Sequence, residues 1–489
     1  MKDVRVRFAP SPTGYLHVGG LRTALYNYLF AKHFGGKMIL RIEDTDQSRF
    51  VEGAVDNLIN SLRWAGIEFD ESPEVGGKFG PYVQSERFEL YRKHAQILLD
   101  KGHAYYAFDT PEELLAMRTQ KPGAVVAPKY DRLVMKNQYT LGAIETKRLM
   151  DMKAPYVIRL RIPPDAEITF TDIIRGDITV LGWDVDDQIL LKSDGYPTYH
   201  LANVVDDHFM EISHIIRGEE WLPSTPKHAF LYDAFGWERP EFAHLPLLLN
   251  TSKQKLSKRQ GDVAVEDFRA KGYFRSAFVN FIALLGFNPT GDREIYTIEE
   301  LIEYFDLSKV NKSGAVFDLT KLEWMNTQYI KIVPTSELVE LARPALESAG
   351  FGGFDDEYVG RVINLVKERI HFMNELPDFV PYMFGDIKEF EIEYIKKRWE
   401  ENSKEIALDL IEIYKKDDVF NHDSLYGAAK AYAEEKGIKL GPITHPLRIM
   451  TTGKSVGAGA FETMEVLGKE TCIQRMEKFI ELWDSGTFI

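Results

Sequence analysis

The sequence predicts a multidomain chain: a parallel-sheet α/β part, interrupted by an inserted α+β stretch, followed by an all-helical region. Three observations predict this. Strand, helix and strand follow one another within about 40 residues at the N-terminus, the spacing of a right-handed βαβ crossover. That rhythm lapses from about 85 to 190 and resumes from about Leu190 to Leu249. Helical periodicity then dominates to the C-terminus.

Each element has its own signal. Val4, Val6 and Phe8 alternate with Arg5 and Arg7, a strand with two arginines on one face. Pro10, Pro12 and Gly14 break regular structure. A helix runs from Gly19 with Leu21, Leu25, Tyr28 and Leu29 at helical spacing, and Gly35-Gly36 ends it. Met38 to Ile42 reads as the second strand, followed by Glu43-Asp44-Thr45-Asp46. The irregular stretch holds Gln120-Lys121-Pro122-Gly123 and the β-like run Tyr156 to Leu160. Ile215-Ile216-Arg217 reads as a strand ending in arginine. Val362, Leu365, Val366 and Ile370, and Ile406, Leu408, Leu410, Ile411 and Ile413, carry the helical pattern.

Composition narrows the function classes. With 489 residues the chain has room for three or more domains at about 100–200 residues each. It is 44% hydrophobic and 28% charged, the balance of a soluble globular protein. No apolar run approaches the ~20 residues of a membrane span, and the alternating N-terminus does not read as a signal peptide. The single cysteine, Cys472, excludes an intramolecular disulfide and a multi-cysteine zinc site and predicts a cytoplasmic location. A net charge of −15 argues against a nonspecific coat on nucleic acid, so an RNA partner would need local basic surfaces.

Two distant motifs carry most of the chemistry. Phe8-Ala9-Pro10-Ser11-Pro12-Thr13-Gly14 and His17-Val18-Gly19-Gly20 read as a strand turning into a glycine-opened helix. A helix N-terminus offers N–H groups and partial positive charge to phosphate, and glycines let a ligand approach the backbone. His17 could donate to a phosphate oxygen. Alone, the motif equally describes a tight turn around a partly buried histidine. Lys255-Leu256-Ser257-Lys258-Arg259 puts three cations within five residues, suited to a leaving pyrophosphate. Alone, it describes a solvated loop. An open α/β sheet binds ligands at the carboxyl ends of its strands, where both motifs could hold a nucleoside triphosphate from two sides. Arg7 and Glu43 would lie at such ends, to clamp an amino acid or to pair with each other.

Other candidates are weaker. Ser193 to Asn203 combines a turn with aromatic and amide groups and leads into Asp206-Asp207-His208, whose spacing matches no standard metal site. Thr452-Gly453-Lys454-Ser455 is similar to the end of a phosphate loop, but Arg448 stands where that motif needs glycine.

Taken together, these residues resemble the class I aminoacyl-tRNA synthetases, most closely the bacterial glutamyl-tRNA synthetases. The resemblance runs from about residue 3 to the C-terminus and weakens after about 330. His17 to Gly20 and Lys255 to Arg259 look like the two class signatures. Arg7 to Gly14, Arg41 to Asp46, Ser193 to His208, Arg217 to Trp221 and Val316-Phe317-Asp318 look like stretches of the glutamyl family.

The resemblance implies a Rossmann-like catalytic domain over 1–85 and 191–250 and an inserted tRNA acceptor-binding domain over 86–190. It implies a stem-contact domain over 251–325 carrying the Lys255–Arg259 loop, and helical anticodon-binding domains over 326–385 and 386–489. The implied reaction has two steps. Glutamate attacks the ATP α-phosphate, giving glutamyl-adenylate and pyrophosphate. The 2′-hydroxyl of the terminal adenosine of tRNA(Glu) then takes the glutamyl group.

The implied catalytic residues are His17, Lys255 and Lys258. The implied ATP contacts are His17, Gly19, Gly20, Glu220, Lys255, Lys258 and Arg259. The implied glutamate site is Arg7, Ala9, Ser11, Glu43, Tyr199, Asn203 and Arg217, with the ammonium on Glu43. Two buried arginines left without a carboxylate would penalise glutamine. Arg369 is implied to read an anticodon base, with Lys367, Lys396, Lys397 and Arg398 adding basic surface. Mg²⁺ is implied with ATP. Gly20 stands where the first signature often has a second histidine, and Tyr106 and Phe108 stand where some relatives carry Cys-x-Cys, so no zinc is expected. The expected partners are tRNA(Glu), L-glutamate and ATP, with no membrane, and the expected state is a monomer.

Alternatives differ in kind. A non-discriminating enzyme that also charges tRNA(Gln) is distinguished by no feature beyond Arg369. A truncated relative that glutamylates a modified base lacks the helical region, whereas about 165 residues follow Trp324. A glutaminyl enzyme usually ends in β-barrels. A small-molecule adenylyltransferase is much shorter. A non-catalytic RNA-binding protein would not need both phosphate motifs.

Overall fold

The computed structural model describes residues 3–49, 51–119, 129–256 and 263–488. They form two compact units, Met1–Ala270 with Arg275–Leu319, and Lys271–Phe274 with Thr320–Ile489.

The first unit opens on the expected crossover: β1 (Arg5–Phe8), α1 (Val18–His33) and β2 (Lys37–Leu40). β1 and β2 pair in parallel, Arg5 opposite Lys37 through Phe8 opposite Leu40. The turn between α1 and β2 needs Gly36, because any Cβ there would press on the backbone and side chain of Val4. The second strand is shorter than the apolar run predicts, yet its ladder continues. Arg41 N donates to Phe8 O and Glu43 N to Pro10 O, both at 3.0 Å, so residues 9–11 run beside residues 41–43.

The chain continues through α2 (Ala54–Trp64), α3 (Phe88–Asp100), β3 (Ala104–Ala107), α4 (Pro111–Thr119) and α5 (Gln138–Asp151). There follow β4 (Val157–Leu160), β5 (Glu167–Asp172), β6 (Gly176–Leu181), β7 (Ile189–Leu191) and α6 (Tyr199–Phe209). Next come β8 (His214–Gly218), α7 (Thr225–Phe235), β9 (Glu241–Leu245), β10 (Leu248–Leu249), α8 (Val265–Ala270), α9 (Arg275–Ala283), α10 (Ile298–Tyr304) and β11 (Ala315–Val316). β5, β9 and β8 lie parallel, with β6 antiparallel at the edge. Ser213 N donates to Arg5 O at 2.9 Å and brings β8 against β1. The carboxyl ends of β1, β2 and β8 therefore open on one side, where such sheets bind ligands.

α1 is apolar on nearly its whole circumference because it is covered on both sides. β1, β2 and β8 pack one face, and α9 and α10 the other. The stretch 86–190 contributes the antiparallel sheet β3-β4-β7 and the β5–β6 hairpin that β9 accepts. Tyr91, Leu98, Ile168 and Phe170 share one core with Leu201, Val205 and Leu231. The turn at Ser193 to Thr198 leads directly into α6, a helix that the aromatic and amide run does not announce.

Among the described residues the second unit is helical, with ten α-helices from Leu319–Ile332 to Lys469–Asp484. Its core includes Leu338, Val362, Leu410, Leu447, Met464 and Phe479. The Thr452–Ser455 motif is a helix end: Gly453 caps Gly441–Thr452 at φ 73°, so no strand feeds a phosphate loop there. Cys472 is buried. Among the described residues, no helix is long and apolar enough to cross a membrane.

Candidate active site

One cavity of about 400 Å³ sits at the carboxyl ends of β1 and β8. Arg7, Ala9, Ser11, His17, Gly19, Gly20, Glu43, Tyr199, Asn203, Arg217 and Glu220 all line it. Lys255 does not; it is exposed, and its backbone bridges to Leu249. Lys258 and Arg259 lie outside the described residues, and so does their position relative to His17. The flanks of their loop are well placed. Leu256 N donates to Leu248 O, Val18 N to Val263 O and Val265 N to Leu16 O, each at 2.9 Å. The chain thus returns beside His17.

At the phosphate end, His17 is the N-cap of α1. Its Nδ1 accepts from Gly19 N at 3.0 Å, which leaves the ring proton on Nε2. The N–H groups expected at the start of this helix are partly engaged. Val18 donates to Val263 and Gly19 to His17, leaving Gly20 without such a partner among the described residues. The glycines still matter sterically: a Cβ on Gly20 would lie 3.0 Å from Leu16 Cδ1, and one on Gly19 3.3 Å from His17 Nδ1.

The other end is built on charge. Tyr199, Asn203, Asp206 and Asp207 recur at helical spacing on α6 and turn one polar face inward. Asp207 accepts from Arg7 Nε at 3.1 Å and from Arg41 Nη1 at 2.7 Å. Arg41 Nη2 donates to Glu43 at 3.0 Å, and Arg87 Nε to Asp206 at 2.8 Å. Three guanidinium groups thus meet three carboxylates, and the buried network is neutral. Burial works to raise the Asp207 carboxyl, but Arg7 and Arg41 carry it below the usual range. Arg7 and Glu43 therefore each have another partner, not one another.

Arg217 differs. It is 5% exposed and has no carboxylate partner among the described residues. Its donors go to His244, Tyr199, His228 and Thr225. The expected pair of arginines without carboxylates is therefore one: Arg7 has Asp207, and Arg217 has none. In the same cavity, Glu43 and the buried, unpartnered Oδ1 of Asn203 are acceptors. The cavity thus offers a cation without a carboxylate partner and acceptors for an ammonium.

Residues 3–324 match the family described as tRNA synthetases class I (E and Q), catalytic domain, and residues 337–480 match an anticodon binding domain. The chain is 50% identical to a glutamate–tRNA ligase of Chloroherpeton thalassium over 99% of each chain, and 48% identical to one of Chlorobaculum parvum over 98% of each. A crystal structure of a glutamate tRNA ligase from Elizabethkingia meningosepticum in complex with its amino acid superposes with a TM-score of 0.93 at 40% identity, covering 98% of this chain and 99% of that one. The chain belongs to the glutamyl-type class I aminoacyl-tRNA synthetases.

In this synthetase the sequence reading missed the groups behind the site. Asp206 and Asp207 are not metal ligands but counter-ions, and His208 stacks on Trp237 at 3.8 Å. Arg41 and Arg87 complete the network; Arg41 stood out only as the start of the Arg41–Asp46 family stretch, and Arg87 gave no local signal beyond its charge. Tyr106 and Phe108 pack on Tyr156, and no group of three metal-ligating side chains occurs among the described residues.

The synthetase should be acid-sensitive at Glu43. Burial raises the Glu43 carboxyl, with Arg41 and Arg7 offsetting part of the effect. A raised carboxyl protonates sooner as pH falls and then cannot hold an ammonium. We expect kcat/KM for the amino acid to decline on acidification from above the usual carboxylate range, because this ratio reports the free enzyme. A pH profile of pyrophosphate exchange whose acid limb lies at an ordinary carboxylate value would contradict the assignment.

Proposed function

We propose that the protein ligates L-glutamate to tRNA(Glu), forming glutamyl-adenylate from ATP and transferring the glutamyl group to the 2′-hydroxyl of the terminal adenosine. The observation that carries this reading is the buried Arg217, without a carboxylate partner among the described residues, lining one cavity with Glu43 and Asn203. The side-chain carboxylate of glutamate neutralises Arg217, assisted by Arg7 and the hydroxyl of Tyr199. Glu43 takes the ammonium, with Asn203 beside it, and Ala9 and Ser11 line the floor. The α-carboxylate oxygen then attacks the α-phosphorus of ATP. A P–O bond forms, the bond to the bridging oxygen breaks, and pyrophosphate leaves with the charge.

No covalent enzyme intermediate is required, so the protein contributes positioning and charge stabilisation. His17, protonated on Nε2, donates to a phosphate oxygen, and Gly19, Gly20 and Glu220 shape the nucleotide end. Lys255, Lys258 and Arg259 meet the departing pyrophosphate. Mg²⁺ enters with ATP, held by its phosphates. In this reading residues 86–190 receive the acceptor end, 251–325 the stem, and 326–385 with 386–489 the anticodon. The enzyme works as a cytoplasmic monomer.

The test is ATP–pyrophosphate exchange with glutamate, with and without tRNA, followed by charging of purified tRNA(Glu) and tRNA(Gln) in parallel. Equal charging of both tRNAs would replace the reading with a non-discriminating enzyme. In the helical unit, exposed Arg369 lines a cavity of about 310 Å³ with Arg448, His445 and Gly457. Splayed bases in RNA loops are read by such arginines. Replacing Arg369 with glutamine should raise charging of tRNA(Gln) relative to tRNA(Glu) by about tenfold, the worth of one good base contact. An unchanged ratio would remove Arg369 from recognition.

A further inference from the structure

Arg217 Nε donates to Nε2 of His244 at 3.0 Å. Nη1 donates to Tyr199 Oη at 2.9 Å and to Nδ1 of His228 at 3.2 Å, and Nη2 to Thr225 Oγ1 at 2.9 Å. A guanidinium has five N–H donors. Four are thus committed to neutral acceptors, and one, on Nη2, is left for a ligand.

The acceptors are fixed from behind. Nδ1 of His244 donates to Asp172 Oδ2 at 2.6 Å, which makes Nε2 the acceptor that Arg217 needs. Asp172 is itself pinned, because Oδ1 accepts from the amides of Ile174 at 3.0 Å and Arg175 at 2.8 Å. His228 accepts at Nδ1, so its Nε2 carries the proton and donates to Nδ1 of His200 at 3.1 Å. Burial drives His228 well below its usual range and His200 down to about 3, and it lowers His244 despite Asp172. All three imidazoles stay neutral, and among the described residues no carboxylate forms an ion pair with the guanidinium.

We propose that His244, oriented by Asp172, acts with Thr225 as a positioning device for specificity. It holds Arg217 by neutral acceptors alone, so the side-chain carboxylate of the amino acid is the first counter-ion Arg217 meets, and a neutral amide is refused. This rests on the reading that Arg217 binds that carboxylate.

Two changes test it in the full-length enzyme, by tRNA-dependent pyrophosphate exchange with L-glutamate or L-glutamine varied. In Asp172→Asn, Oδ1 keeps its backbone donors, Ile174, Arg175 and His244, while the amide N–H faces Nδ1 of His244. The ring proton must move to Nε2, donor against donor at Arg217. We expect KM for glutamate to rise about ten- to hundredfold, the cost of a mispaired buried donor, with kcat and KM for ATP within a few-fold. Thr225→Asp supplies an internal counter-ion, whereas Thr225→Asn matches its size without the charge. We expect the first to cut the preference for glutamate over glutamine about a hundredfold and the second by less than about tenfold.

Equal preferences in the two Thr225 variants would overturn the inference, as would an Asp172→Asn enzyme in which kcat and both KM values worsen together. Should Asp172→Asn not fold, the Thr225 pair decides. Arg217→Gln separates the levels. If it retains the preference, the reading of the pocket falls. If it loses the preference while Thr225→Asp does not, only the positioning device falls.

Discussion

Asp207→Ala is expected to lower the melting temperature of the catalytic unit by roughly 10 °C, a loss of about 3–5 kcal/mol for a buried pair broken from one side. The carboxylate has no exposed surface and holds two guanidinium groups, Arg7 at 3.1 Å and Arg41 at 2.7 Å. Without it the network has three cations and two carboxylates, and the excess charge cannot reach water from Arg41, which is fully buried. The damage extends to the site, because Nε of Arg7 is fixed only through Asp207. Glutamate KM should therefore rise together with the loss of stability.

The sign with pH follows from the lowered Asp207 carboxyl. Its contribution is complete above the ordinary carboxylate value and is lost only as pH falls through the lowered folded value. The variant should accordingly lose part of the acid-unfolding transition that the parent shows. Calorimetry from neutral to acid pH measures both. A melting temperature within about 2 °C of the parent would mean that water already reaches Arg41 and that the network is not closed.

What the sequence made legible was local. β1, α1 and β2 follow from alternation, helical spacing and paired glycines, each within a few residues. The residues expected around the amino acid line one cavity because Arg7, Arg217 and Glu43 sit at or just beyond strand ends, where such sheets gather their loops. Counter-ions are different. Arg7 and Asp207 are 200 residues apart, Arg41 and Asp207 are 166 apart, and nothing near either partner announces the other. Asp206-Asp207-His208 consequently resembled a weak metal cluster. α6 was hidden for another reason: Gly195 and Pro197 announce a turn, and the helix begins two residues later. The shared core across 86–190 was equally nonlocal, since β5 finds β9 through Asp172 opposite Phe242. Fewer helix amides face a phosphate than a helix N-terminus offers in general, because the first two donors of α1 are taken by Val263 and by His17 itself.

Lys258→Ala should slow adenylate formation by about 10²–10³-fold while glutamate KM changes by less than about threefold, the pattern of an interaction made only in the transition state. The reasoning starts from where the cavity has no cation. Among the described residues lining it, the lysines and arginines are Arg7 and Arg217, both at the amino-acid end. The end next to His17 has a neutral imidazole and glycines. Breaking the bond to pyrophosphate concentrates negative charge there, and a neutral donor alone is a weak match for it. In the proposed reading positive charge comes from the segment between Leu256 and Val263, whose flanks bond to Leu248 and to Val18 beside His17. That segment carries Lys258 and Arg259. In that reading an alanine at 258 removes charge that meets the departing pyrophosphate, so the loss falls on kcat rather than on glutamate binding. Single-turnover adenylate formation at saturating ATP measures it. A rate within a few-fold of the parent would transfer the phosphate role to Lys255 or Arg259, and a matching rise in glutamate KM would place Lys258 at the opposite end of the cavity.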